Sequence, residues 1–119
     1  TYQEAATREF QEELGLDRFP GRVLGELLPL WVFNSNYRLR PFLAVHAGRL
    51  DYSPCQREVA RLIHLPVAQL LLESTTVTHD VFSRGSVRWK AGVIRYQCDQ
   101  IWGATAIILA ELAALLRGV

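Results

Sequence analysis

Four glutamates and one arginine crowd the opening stretch TYQEAATREFQEELG: Glu4, Glu9, Glu12 and Glu13, with Arg8 among them. On a helix, residues three and four apart are neighbours. Glu9 and Glu13 therefore point the same way with Glu12 beside them, and Arg8 reaches Glu4 one turn back and Glu12 one turn ahead. Three clustered carboxylates repel one another, and a single guanidinium does not neutralise them. A hard divalent cation such as Mg²⁺ does, because it takes carboxylate oxygens and keeps waters or phosphate oxygens as its other ligands. Spacing alone leaves a second reading open, since a glutamate-rich face is also what a solvated helix of good intrinsic propensity presents.

The element that must hold these carboxylates is expected over residues 1–14. Tyr2, Ala6, Phe10 and Leu14 form an apolar stripe, no Gly or Pro interrupts, and Gly15 stands where a left-handed C-terminal cap belongs. Leu16 can then fold back onto the stripe. After Phe19-Pro20-Gly21, RVLGELLPLWVF reads as extended, with Pro29 marking an edge or a bulge. Asn34-Ser35-Asn36 is a turn signal, and YRLRPFLAVHAG reads as a strand entering a sheet. A short strand over residues 59–65 and a short helix started by Pro66 follow. Two extended runs then fill residues 77–96, broken at Ser83-Arg84-Gly85-Ser86. IWGATAIILAELAALL closes the chain as an apolar helix expected to be buried over most of its surface. Helices flanking several strands predict an α/β arrangement with a sheet packed between helices.

Composition narrows the partners. The 119 residues carry a formal net charge of +1 and are half apolar, which argues against a nucleic-acid-coating protein or a disordered tail. Cys55 and Cys98 lie far apart without a Cys-x-x-Cys pair, so a zinc site or disulfide framework is not expected and a reducing cytoplasm is the simplest location. The apolar run over residues 101–116 contains Thr105 and Glu111 and falls short of the roughly 20 apolar residues a bilayer requires. It reads as a core helix, and no membrane partner or signal peptide is visible.

Other side chains offer weaker chemistry. His46, His64 and His79 lack metal-ligand spacing; His79 beside Asp80 can orient a base, but strand or edge positions explain the histidines equally. Arg38 and Arg40 alternate along a strand and suit either a phosphate clamp or a solvated face. Trp31, Phe33 and Trp89 can stack an adenine, although aromatic residues in strands are usually core. Trp102 and Gly103 read as structural, one filling volume and the other admitting a close backbone approach.

The order of residues adds what spacing does not. Arg8-Glu9-Phe10-Gln11-Glu12-Glu13-Leu14-Gly15-Leu16 resembles the second half of the Nudix box, Arg-Glu-apolar-x-Glu-Glu-x-Gly-apolar, at every specified position. The box's earlier acidic position, eight residues before the arginine, would fall immediately before Thr1, so the resemblance implies a chain that starts inside the box. Ile101-Trp102-Gly103-Ala104-Thr105-Ala106 is similar to the C-terminal signature of the coenzyme A diphosphatase-like branch of that family. Asn36-Tyr37 with Pro41-Phe42, and Glu58-Val59 with His64-Leu65-Pro66-Val67, resemble that branch as well.

The resemblance implies an α/β/α sandwich around a mixed sheet, one domain over residues 1–119 that is incomplete at its N-terminus. It implies a Mg²⁺- or Mn²⁺-dependent diphosphatase acting on a small nucleoside diphosphate derivative, coenzyme A or an acyl-coenzyme A first. ADP-ribose, NADH or a dinucleoside polyphosphate stand as alternatives, as does a catalytically silent binding module. No nucleic-acid partner is implied, and a homodimer is compatible with it. Glu9 and Glu13 would be the principal metal ligands, with Glu12 joining them or holding a second ion. Arg8 would hold a glutamate in place. Outside the box Glu58 is the leading general base, although a surface glutamate paired with Arg57 or Arg61 explains it equally.

Overall fold

The helix α1 (Tyr2–Leu14) opens the computed structural model, which describes residues 1–32, 37–72 and 78–118. Both ends of α1 are closed locally. The Thr1 hydroxyl accepts from the Glu4 amide at 3.1 Å while the Glu4 carboxylate reaches back to the Thr1 nitrogen, forming a reciprocal capping box. Gly15 takes φ 68°, ψ 39°, and the Leu16 amide donates to the Gln11 carbonyl at 3.0 Å, as the cap expected there requires. The apolar stripe is only half used: Phe10 meets Phe19 edge-to-face at 5.6 Å, whereas Tyr2 stays 67% exposed.

The chain divides into two compact units, Thr1–His64 and Leu65–Val119. In the first, β1 (Arg22–Glu26) pairs antiparallel with β4 (Phe42–Val45), and β2 (Leu30–Val32) with β3 (Tyr37–Leu39). Pro29 falls between β1 and β2, where its missing N–H interrupts no ladder. The irregularity sits at Val23/Gly25 instead. The expected strand from Tyr37 onward is two pieces, because Pro41 cannot donate; its carbonyl still accepts from the Leu27 amide at 2.8 Å. The Asn34-Ser35-Asn36 turn and Phe33 lie outside the described residues.

In the second unit, α2 (Val67–Leu70) begins after Pro66 as expected. β5 (Thr78–Arg84), β6 (Val87–Tyr96) and β7 (Asp99–Trp102) form an antiparallel meander, followed by α3 (Gly103–Arg117). Gly85, at φ 63°, opens the two-residue connection between Arg84 and Val87. The central strand carries the core. Val93 and Ile94 are adjacent, so they face opposite sides of the sheet, yet both are fully buried. Ile94 packs with Leu70, Ala106 and Ala113. Burying a side chain of this size contributes about 1.5–3 kcal/mol.

Three expectations are corrected. No strand forms over residues 59–65; a turn over 56–58 leads instead into irregular chain as far as α2. Ile101 and Trp102 belong to β7, and Gly103, at φ 68°, makes the switch from strand to helix that only glycine adopts without strain. Nor is α3 buried over most of its surface. Ala106 and Ala113 face the sheet, while Ile107 and Leu115 are more than half exposed, because a three-stranded sheet covers one side of an apolar helix and not its whole circumference. The α/β class holds: runs of strands lie between helices along the chain, and among the described residues every pairing is antiparallel. Among the described residues, no helix is long and apolar enough to cross a membrane.

Candidate functional site

Because α1 is capped at both ends, its charged side chains have fixed origins. Glu9, Glu12 and Glu13 are all exposed. Of the two glutamates within reach of Arg8, Glu4 is engaged in the capping box, and Arg8 turns to Glu12 with Nε 3.7 Å from Oε1. Both partners are about two-thirds exposed, so this contact orients more than it stabilises. Glu9 and Glu13 form no ion pair among the described residues.

Glu58 reaches the same helix through the backbone. The Ser53 amide donates to the Leu14 carbonyl at 2.9 Å, and the Cys55 amide to the Glu13 carbonyl at 2.7 Å. These bonds satisfy carbonyls that the end of a helix leaves without intrahelical partners. The Cys55 carbonyl then accepts from the Glu58 and Val59 amides at 3.0 and 2.8 Å, closing the turn that carries Glu58. Glu58 thus stands on a turn tied to the carboxylate helix, rather than opening a strand, and among the described residues its carboxylate forms no ion pair. Gly15 makes the approach feasible, since a Cβ there would strike the Ser53 carbonyl oxygen. Glycine at that position was legible as a cap; its contact with Ser53 was not, because nothing local in the sequence couples residues so far apart.

The donor chemistry of Glu9, Glu12 and Glu13 suits a hard divalent cation that retains waters: oxygen-only, anionic and exposed. Their carboxylates are not drawn together, and among the described residues no group of three His, Cys, Asp or Glu side chains is gathered as for a metal ion.

Arg40 proves to be committed elsewhere. Its Nε and Nη2 donate to the two Glu26 carboxylate oxygens at 2.6 and 3.0 Å, and its guanidinium lies 4.2 Å from the centre of the Tyr2 ring. The hydrogen bond from Arg40 holds the Glu26 carboxyl below the usual carboxylate range, with the charges of Arg40 and Arg38 acting the same way against a desolvation penalty. The Arg40 guanidinium is correspondingly raised, chiefly by that hydrogen bond. The pair of arginines is therefore no symmetric clamp. Trp31, opposite Arg38 in the β2–β3 register, is 67% exposed and not a core residue.

Among the described residues, the remaining candidates are engaged locally. His46 Nδ1 lies 3.3 Å from the Ala47 carbonyl, and His64 lies tilted against Tyr52. His79 and Asp80 are on β5, with their side chains outside the described set, as is that of Trp89. Trp102 stacks on Phe82 at 4.9 Å, in keeping with a structural role.

No protein-family profile matches the chain. It is 31% identical over 110 residues to the uncharacterized Nudix hydrolase NudL of Yersinia enterocolitica, a match covering 92% of this chain and 55% of that protein. The proteins of the same name from Photorhabdus laumondii (33% over 110 residues, 91% and 57%) and Escherichia coli (30% over 109 residues, 92% and 56%) are similar to it to the same degree. The chain spans about half the length of the curated relatives it matches.

Proposed function

We propose that this chain, which belongs to the Nudix hydrolase family, is the carboxylate-bearing part of a divalent-metal-dependent diphosphatase, with coenzyme A or an acyl-coenzyme A as its first substrate candidate. The observation that carries this reading is the uninterrupted Arg8–Leu16 run, folded as one doubly capped helix with Glu9 and Glu13 a turn apart. The branch rests on the Ile101–Ala106 and Glu58–Val67 resemblances. ADP-ribose, NADH and dinucleoside polyphosphates are the alternatives within the same chemistry. Residues 1–119 are read as belonging to a single domain of an α/β/α sandwich.

In this reading Glu9 and Glu13 hold Mg²⁺ or Mn²⁺, with Glu12 as a further ligand. The ion, when bound, neutralises charge on the diphosphate oxygens. Arg8 fixes the orientation of Glu12 from one turn away. Glu58, on the turn bonded to Glu13 and Leu14, accepts a proton from the attacking water. As the water oxygen bonds to one phosphorus, the anhydride P–O bond breaks and the other phosphate departs with its fragment. A cytoplasmic location belongs to the same proposal.

A hydrolysis panel tests the proposal: coenzyme A, acyl-coenzyme A, ADP-ribose, NADH and dinucleoside polyphosphates with Mg²⁺ or Mn²⁺, using the full-length protein. Coenzyme A cut to 3′,5′-ADP supports both chemistry and branch. Cleavage of another panel member alone keeps the chemistry and rejects the branch, and no cleavage of any rejects the enzyme.

A further inference from the structure

The β2–β3 hairpin and the start of α1 leave one guanidinium and two aromatic rings without an assigned task. Trp31 and Arg38 are directly opposite in the antiparallel register, so their side chains emerge on the same face of the hairpin. Arg38 also lines a recess of about 490 Å³ with Tyr2, Leu28, Pro29, Arg40 and Glu26. Within that recess Glu26 is already neutralised by the two-pronged bond from Arg40, and Arg40 is fixed over one face of the Tyr2 ring. Among the described residues Arg38 forms no ion pair. What remains is one positive charge in a recess of the size that ligand sites occupy, next to an indole left 67% exposed and a phenol equally open.

From this arrangement we infer that Trp31 and Arg38 form a subsite for a nucleotide moiety, the base stacking on Trp31 and a phosphate of the same moiety pairing with Arg38. Indole faces stack bases of any kind, and a guanidinium matches two phosphate oxygens at once. Arg40 is the weaker phosphate ligand because two of its five N–H donors already bind Glu26, whose charge offsets its own; its part is to hold Tyr2 and so shape the wall. Tyr2 precedes Glu9 by two helical turns on the same side of α1, which places the recess about 10 Å along the axis from the carboxylates. A substrate whose diphosphate lies at Glu9 and Glu13 would therefore offer Arg38 a phosphate outside the scissile diphosphate, such as one carried on its ribose. The inference deepens the diphosphatase reading and rests on it for the identity of the whole substrate, but the binding of the nucleotide end is measurable without turnover.

The test is calorimetric titration of the full-length protein, metal-free in EDTA, with adenosine 3′-monophosphate (AMP), adenosine and inorganic phosphate, alongside Arg38→Ala, Arg38→Lys and Trp31→Leu. Tryptophan fluorescence is followed in parallel, and circular dichroism confirms that each variant is folded. The expected pattern is a match between chemistry removed from the ligand and chemistry removed from the protein. AMP binds about tenfold more tightly than adenosine; Arg38→Ala erases that difference and leaves adenosine unchanged, and Arg38→Lys restores part of it. Trp31→Leu weakens both ligands and abolishes the fluorescence response. An Arg38→Ala variant that keeps the full preference for AMP overturns the assignment, as does binding of inorganic phosphate as strong as that of AMP. Because no turnover is read, a protein that binds AMP in this pattern yet cleaves nothing in the hydrolysis panel would sink the enzymatic reading and leave the subsite standing.

Discussion

The two long helices of this chain are held in opposite ways. In α1 stability is local: a reciprocal box at Thr1 and Glu4, a left-handed glycine at the other end, and no buried residue between. At the start of α3 there is no side-chain cap, since Trp102 precedes it, but Ala106 and Ala113 are buried against Ile94 and Leu70. Arg117 of α3 also donates to the Leu70 and Leu72 carbonyls at 3.3 and 3.4 Å. A helix that depends on its own caps can leave its side chains to other work, and α1 leaves Glu9, Glu12 and Glu13 in solvent. A helix that depends on packing has its residues chosen by the packing. Sites that bind charged ligands fit the first kind, and cores are built from the second.

That contrast can be broken from either side. The largest expected effect is on activity: Glu13→Gln is expected to lower kcat on the order of 10²-fold or more while leaving the melting temperature unchanged, because the side chain is exposed. A matching loss of stability would mean that α1 is held by its charged face after all. On the other helix, Ala106→Leu pushes three extra carbons into a site that is 1% exposed and is expected to cost about 1–3 kcal/mol in denaturant unfolding. An unchanged midpoint would show that α3 is loosely packed.

Gly15→Ala joins the two kinds of effect. The left-handed backbone alone costs an alanine about 1–2 kcal/mol, and its Cβ would also strike the Ser53 carbonyl oxygen. The turn carrying Glu58 must then shift, so kcat is expected to fall together with the unfolding midpoint. A stability loss with kcat intact would remove Glu58 from the chemistry. The smallest effect is a pH dependence. Glu26 is held below the ordinary carboxylate range by Arg40, so its contribution is present above that range and is lost as pH falls through the lowered value. Glu26→Gln is expected to flatten the acid limb of the melting-temperature profile slightly, the pair being solvent-exposed. Coincident acid limbs would show the pair to be inert.

How far the sequence disclosed this follows the same division. Most of what α1 owes to near neighbours was legible: its length, its Gly15 cap, the common face of Glu9 and Glu13, and the reach of Arg8 to Glu12. The hairpin break around Gly85 was legible for the same reason. Contacts between distant residues were not. Nothing around Arg40 announces Glu26, 14 positions away, and nothing around Gly15 announces Ser53. The strand expected over residues 59–65 failed because an apolar run does not by itself supply a pairing partner, whereas β7 was absorbed into the helix reading because its apolar residues run on into those of α3. Ile107 and Leu115 of α3 stand exposed because hydrophobicity all round a helix signals what it can bury, not what is present to cover it.

The central claim is that the exposed carboxylates of α1 bind a divalent cation. The most direct test is calorimetric titration of Mn²⁺ into the full-length protein and into a Glu9→Gln/Glu13→Gln variant, in the absence of any substrate. The account predicts saturable binding to the wild type, lost or weakened at least about tenfold in the variant, with both proteins melting at the same temperature before metal is added. Equal Mn²⁺ affinity in the two proteins would contradict it and return the acidic face of α1 to the solvent.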